Sequence, residues 1–248
     1  MLRGLFMAAT GMLTQQKRMD VVTNNLANAT TTGFKEDGLV VRSFGDLLIS
    51  RMDGFGQRPV EPVGPLGTGI HADRVRTVLT DGPLEETGRQ TDIALSGQVF
   101  FAIETPEGER YTRAGNFQIS EDGMLVTHEG HPVMGQNGPL RVGHAGFTVR
   151  PDGSVTSSAG EDRLRLVELS DDDGLRKEGG NRYAHDSARL IAQTDTPVRQ
   201  GFLEGSNVDL SRQMTDMIEI YRSHEINQRM IRLFDEKLGK AVNEIGRL

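Results

Sequence analysis

The feature that most constrains this chain is a three-and-four spacing of apolar residues at both ends, with no counterpart between them. Near the N-terminus Leu2, Leu5, Ala9, Met12, Gln16, Met19, Thr23 and Leu26 follow that spacing. Near the C-terminus Leu210, Met214, Met217, Tyr221, His224, Gln228, Ile231, Asp235, Leu238, Val242 and Ile245 do the same. In an α-helix such positions fall on one stripe, the seam of a coiled coil. The spacing predicts one helix over residues 2–28 and a second over 208–246, the latter on the order of 55 Å long. Asn207 or Asp209 is placed to cap the second helix. The first runs into Asn24-Asn25-Leu26-Ala27-Asn28-Ala29-Thr30-Thr31-Thr32-Gly33. Those amide and hydroxyl side chains compete for backbone hydrogen bonds, and Gly33 can take the left-handed turn that stops a helix.

A lone helix with an apolar stripe is marginal in water and gains most of its stability by packing that stripe. Two such helices flank one body here. If both project from the same side of it they run antiparallel, each seam covering the other. The expected fold is a mainly β, hairpin-rich middle domain with N- and C-terminal α-helices paired as an antiparallel coiled coil. Asp235 sits awkwardly on that seam, because a buried carboxylate is costly without a partner. The second helix also carries Ile218, Ile220, Ile226, Met230, Leu233 and Phe234 off the seam. A second apolar set needs a second surface, which points to helix contacts between subunits.

The middle of the chain has a different rhythm. Short apolar runs are broken by Pro106-Glu107-Gly108, Glu121-Asp122-Gly123, Glu129-Gly130, Asn137-Gly138, Pro151-Asp152-Gly153 and Asp173-Gly174, which are turn signals. Val99–Ile103, Phe117–Ile119, Leu125–Thr127 and Arg163–Leu169 are strand candidates. The expected division is 1–35 for the N-terminal assembly helix and its Asn/Thr-rich turn, 36–75 for a linker or extended loop, 76–205 for the β domain and 206–248 for the C-terminal assembly helix.

Composition removes several function classes. The 248 residues include no Cys, which rules out disulfides, thiolate catalysis and cysteine zinc sites. Net charge is −7, with +3 in residues 1–35, none in 207–248 and −10 between. No basic face for nucleic acid stands out. No run approaches the ~20 apolar residues of a membrane span. Leu5–Leu13 follows Arg3 but includes Thr10 and Gly11 and lacks a small-residue cleavage site, so no cleaved signal peptide is expected. His128 and His131 flank a turn without a third ligand, Asp171-Asp172-Asp173-Gly174 lacks the spaced donors of a calcium loop, and Gly64–Gly69 lacks the lysine of a phosphate loop. Tyr221 and His224 read as packing residues. No catalytic residue, cofactor or metal site is expected, and the chain reads as a non-enzyme.

Several stretches together resemble a known family. Thr23-Asn24-Asn25-Leu26-Ala27-Asn28, continuing to Thr32-Gly33-Phe34-Lys35, resembles the N-terminal signature of bacterial flagellar axial proteins, the rod and hook family. Gly201-Phe202-Leu203-Glu204-Gly205-Ser206-Asn207-Val208, with Met214-Thr215-Asp216-Met217-Ile218, resembles the matching C-terminal signature. Thr91–Gly97, Val99-Phe100-Phe101 and Tyr111–Phe117 agree in the middle, in family order. His131-Pro132-Val133-Met134-Gly135, Gly138-Pro139-Leu140 and Leu203–Asn207 look like the proximal-rod type. Gly67–Ile70 and Glu225-Ile226-Asn227 look like the distal-rod type, and the proximal reading is favoured.

The resemblance implies a structural rod subunit in the flagellar basal body, polymerising through its terminal helices into a tubular axle that transmits torque. It implies as partners copies of the chain, neighbouring rod and hook proteins and the flagellar type III export apparatus, with no nucleic acid and no membrane insertion. The expected assembly interface is Leu2, Leu5, Met12 and Met19 on the first helix; Asn24, Asn25, Leu26, Asn28, Gly33 and Phe34 in the turn; and Asn207, Met214, Met217, Ile218, Tyr221, Ile231 and Leu238 at the other end. The alternative from another class is a secreted β-rich binding or adhesive module on a helical stalk.

Overall fold

The computed structural model describes residues 2–45, 47–51, 61–169, 175–185, 189–190 and 198–245. Helix α1 spans Leu2–Ala27 and helix α2 spans Leu210–Ile245, with β structure between them. The chain divides into two units. The first gathers residues 1–24, 37–76 and 211–248, and the second residues 25–36 and 77–210.

In the second unit the main element is a six-stranded antiparallel sheet. Its order is Leu175–Glu178, Arg182–His185, Gly108–Thr112, Val99–Thr105, Leu166–Glu168 and Arg189–Leu190. Val99–Thr105 is central, and its alternation splits two cores between its faces. Val99, Phe101 and Ile103 join Ile93, Phe117, Leu125, Leu140 and Val155 on one side. Phe100 and Ala102 join Leu79, Tyr111, Val167 and Tyr183 on the other. Small hairpins surround this sheet, turning where the sequence signals them: Gly108, Gly123, Gly130, Gly138 and Gly153 all take positive φ. Gly174 and the run Asp171–Asp173 lie outside the described residues. Arg163–Leu169 divides into two strand segments, Gly160–Arg163 and Leu166–Glu168, in different sheets.

In the first unit residues 37–76 contribute two ribbons, Leu47–Arg51 with Glu61–Leu66 and Asp37–Ser43 with Ile70–Thr77, whose last residue begins the second unit. Pro62 and Pro65 are tolerated in the former because a two-stranded ribbon has an outer edge where no N–H is required. Phe44 ties the arm to α1: its ring lies 6.1 Å from that of Phe6 and stacks 4.8 Å from His71.

The coiled coil expected of the terminal helices is not what forms. The helices do touch, and glycines of α1 stand at the contact. A Cβ on Gly4 would collide with the Phe234 ring, and one on Gly11 would sit 3.3 Å from Asn227 Nδ2. Positions 4 and 11 match 234 and 227, so the helices run antiparallel there. The covered stripe of α2 is Gln213, Met217, Ile220, His224, Asn227, Ile231, Phe234, Leu238 and Ala241. It shares Met217, His224, Ile231 and Leu238 with the expected seam, but elsewhere it lies one residue earlier. Ile220 is 1% exposed and Tyr221 is 67% exposed. The same one-residue correction places Phe234 inward and Asp235 outward in solvent, so no carboxylate burdens the contact.

Candidate assembly interface and its anchor

Once α1 and α2 have met, large apolar side chains are left on their outer faces. On α1 these are Phe6, Met7 and Leu13. Phe6 and Leu13 lie two positions beyond Gly4 and Gly11, about 200° round the helix from the α2 contact. On α2, Leu210, Met214, Ile218 and Tyr221 lie along one flank of the covered stripe. Ile226, Met230 and Leu233 lie along the other, about 130° away. Apolar surface grouped in this way marks a place for a partner rather than for water. Charged side chains interleave with it, among them the Arg229–Glu225 pair at 2.6 Å, one turn apart.

The residues expected at the interface fall into three groups. Met214, Ile218 and Tyr221 are exposed, on the flank just described. Leu5, Met12, Met19, Met217, Ile231 and Leu238 are half-covered on the helices, and the side chain of Leu2 lies outside the described residues. The remaining group, from Asn25 to Phe34 together with Asn207, belongs to a tight junction inside the second unit. Asn24 is exposed near the end of α1, and Leu26 and Asn28 are half-buried.

That junction is built where the chain leaves α1 and where it approaches α2. Asn28 N–H donates to Asn25 O at 3.1 Å, and Thr31 Oγ1 donates to Asn28 Oδ1 at 3.2 Å, turning the chain. Gly33 follows with φ 67°, and its N–H donates to Glu204 O at 2.7 Å. A Cβ there would meet the Arg113 carbonyl at 2.6 Å, so both the dihedral and the space exclude other residues. Phe34 is buried beneath Lys177, whose Nζ stands 3.6 Å from the ring centroid and donates to Lys35 O at 2.9 Å. Asn207 clips the two approaches together. Its Oδ1 accepts from Glu36 N–H at 2.7 Å, while Nδ2 donates to Val78 O at 2.9 Å and to Thr80 O at 3.1 Å.

Beneath the clip lies a buried charge cluster. Lys35 Nζ is 2.7 Å from Glu204 Oε1 and donates to Thr80 O at 2.7 Å. Glu204 Oε2 accepts from Arg113 Nε. Arg113 also donates to the carbonyls of Leu95 and Val99 and pairs with Asp81 at 3.1 Å. Lys35, Arg113 and Glu204 are each at most 2% exposed. Two cations face two carboxylates, so the group is neutral and its donors are used, the condition under which buried ions are tolerated. Burial nevertheless holds the Lys35 ammonium below its ordinary pKa, although Glu204 pulls it back up.

The sequence reading singled out neither Arg113 nor Glu204, Asp81, Gly4, Gly11 and Asn227 as site residues. Arg113 and Glu204 lie inside quoted motifs, but nothing local marks a charge destined for the core. The two histidines weighed as a metal pair have separate partners: His128 Nδ1 pairs with Gln118 at 3.2 Å, and His131 Nε2 with Arg182 at 3.0 Å.

Comparison with known proteins covers these same elements. The family described as "Flagella basal body rod protein" matches residues 5–35, which hold most of α1 and the first half of the junction. "Flagellar hook protein FlgE/F/G D1 domain" matches residues 94–157, and "Flagellar basal body rod FlgEFG protein C-terminal" matches 199–244. A flagellar basal-body rod protein FlgG of Agrobacterium fabrum is 35% identical over 95% of this chain and 96% of its own. The chain belongs to the flagellar basal-body rod family. A flagellar hook-basal body complex protein, FlhO, of Bacillus subtilis is 33% identical to this rod-family chain over the whole of both. A rod protein FlgF of Caulobacter vibrioides is 34% identical over 98% of each. Relatives with two different rod names are thus almost equally similar, and identity does not separate rod subtypes. Among the described residues, no helix is long and apolar enough to cross a membrane.

Proposed function

We propose that this chain, a structural subunit of the bacterial flagellar basal-body rod, polymerises through the outer faces of its two terminal helices. One observation carries the reading: Met214, Ile218 and Tyr221 stand exposed on a helix whose neighbouring stripe is already covered within the chain. The assembly surface comprises these residues and the half-covered Leu5, Met12, Met19, Met217, Ile231 and Leu238. Asn25, Gly33, Phe34 and Asn207 serve it by holding together the segments that follow α1 and precede α2. Residues 76–205 form the outer body, and torque passes through lateral contacts. The role is mechanical and requires no catalytic group. The partners are further copies and adjacent rod and hook components, with delivery by the flagellar export apparatus without removal of a leader. The finer placement is the proximal rod, supported by the motifs His131–Gly135 and Leu203–Asn207.

The test places Ile218→Glu and Tyr221→Glu in the full-length protein in motile cells. Both positions face solvent in the single chain, so the fold is expected to survive with a stability change within about ±0.5 kcal/mol. Rod completion and swimming are expected to be lost, as seen in isolated basal bodies. Normal rods containing both charges would refute the proposed surface. Labelling the wild-type protein relative to the membrane ring and the hook junction decides the placement.

A further inference from the structure

The contact between α1 and α2 has a property that apolar packing alone does not require. The only glycines of α1 are Gly4 and Gly11, two helical turns apart. Opposite them stand Phe234 and Asn227, also two turns apart and in reverse order. Ala8, between the glycines, is buried. The Phe234 ring lies against the bare Gly4 backbone, with Cε2 3.0 Å and Cε1 3.1 Å from where a Cβ would be. The fit is a two-point key.

A slide of two turns one way carries Phe234 past the first residue of α1, and the other way sets Asn227 against Arg18. Glycine in a helix interior costs roughly 1 kcal/mol relative to alanine, so Gly11 on the contacting face weakens α1 unless close approach is its purpose. A polar residue such as Asn227 at a helix seam is also a recognised means of fixing register at the expense of stability.

We infer that Gly4 and Gly11 with Phe234 and Asn227 form a register lock. It fixes the offset between the outer face of α1 at Phe6 and Leu13 and the outer face of α2 at Met214, Ile218 and Tyr221. These four residues are therefore specificity residues for subunit assembly, although none lies on the outer faces. The inference rests on the proposed role of those faces in building the rod.

Two measurements test it. The chain has no cysteine, so paired cysteines report register directly. In the purified full-length protein, Gly11→Cys with Asn227→Cys is expected to close an intrachain disulfide on mild oxidation. Gly4→Cys with Asn227→Cys, offset by about 10 Å along the helix, is expected to close at least about tenfold more slowly, since disulfides need Cβ atoms within about 4.5 Å. Equal rates, or a dimer-sized product in place of the intrachain one, would overturn the lock.

In cells, Gly4→Leu is expected to lower incorporation into basal bodies by about tenfold, and adding Phe234→Ala to recover most of it, as contacting residues couple. Wild-type incorporation by Gly4→Leu, or no recovery in the double variant, would overturn the lock while leaving the rod reading intact. Absence of the wild-type protein from basal bodies would refute the rod reading instead, and the cysteine result would still decide whether the register is fixed.

Discussion

Lys35 and Glu204, separated by 169 positions in the chain, meet at 2.7 Å with neither side chain more than 2% exposed. The pair joins the segment leaving α1 to the segment approaching α2, and Arg113 holds both to the β body. Removing one partner of a buried pair leaves an uncompensated charge, costing about 3–5 kcal/mol. Glu204→Ala removes the carboxylate paired with Lys35 and leaves Arg113 with Asp81 alone, and it is expected to lower unfolding free energy by that amount in urea titration. A loss below about 1 kcal/mol would mean that water reaches the cluster.

The acid–base behaviour of Lys35 provides a separate check. Burial depresses its folded-state pKa below the ordinary 10.5. The folded chain then binds fewer protons than the unfolded chain between those two values, so stability rises with pH across that window. The contribution is fully present above 10.5 and is lost as pH falls through the depressed value. The difference in urea midpoint between wild type and Lys35→Met is expected to shift in favour of wild type as pH rises from neutrality towards 10.5. A pH-independent difference would contradict this.

Asn207 is expected to be worth more than a surface amide. Its side chain uses both ends, to Glu36 on one side and to Val78 and Thr80 on the other. Asn207→Ala leaves a backbone N–H and two carbonyls without those partners and is expected to cost about 1–3 kcal/mol. Asn207→Asp keeps the acceptor but loses the donor, so its cost should fall between. Equal stability of all three proteins in thermal unfolding would show that water replaces the clip.

The phase of α2 is testable by two adjacent residues. Asp235 faces solvent and Phe234 faces Gly4. Asp235→Ala is expected to stay within about 0.5 kcal/mol of wild type. Phe234→Ala removes a half-buried ring and is expected to lose about 1–3 kcal/mol of helical stability, followed by circular dichroism at 222 nm. The reverse ranking would restore the earlier phase.

Much of this was legible from residues alone. The two helices, the hairpin-rich middle and its turn glycines follow from local rules that the body obeys. The helix phase did not follow, for a physical reason. A three-and-four alternation leaves a choice between neighbours at every second step, and Met214, Ile218 and Tyr221 are as apolar as core residues although they face outward. A surface made for a partner mimics a core. Gly4 and Gly11 escaped notice because small residues leave no mark in an apolar pattern, even where closeness is the point of the contact. The Lys35–Glu204–Arg113 cluster was illegible because its members are far apart in the chain, and charge in sequence ordinarily means surface.

Slack is what the junction removes. Leu210, the first residue of α2, follows the Asn207 clip by three positions, and Gly33, hydrogen-bonded to Glu204, follows the last residue of α1 by six. Fixed hydrogen bonds and buried ions therefore begin within a few residues of the end of α1 and of the start of α2. In the proposed assembly these two short connections belong to the subunit's build as much as the faces that would join one copy to the next.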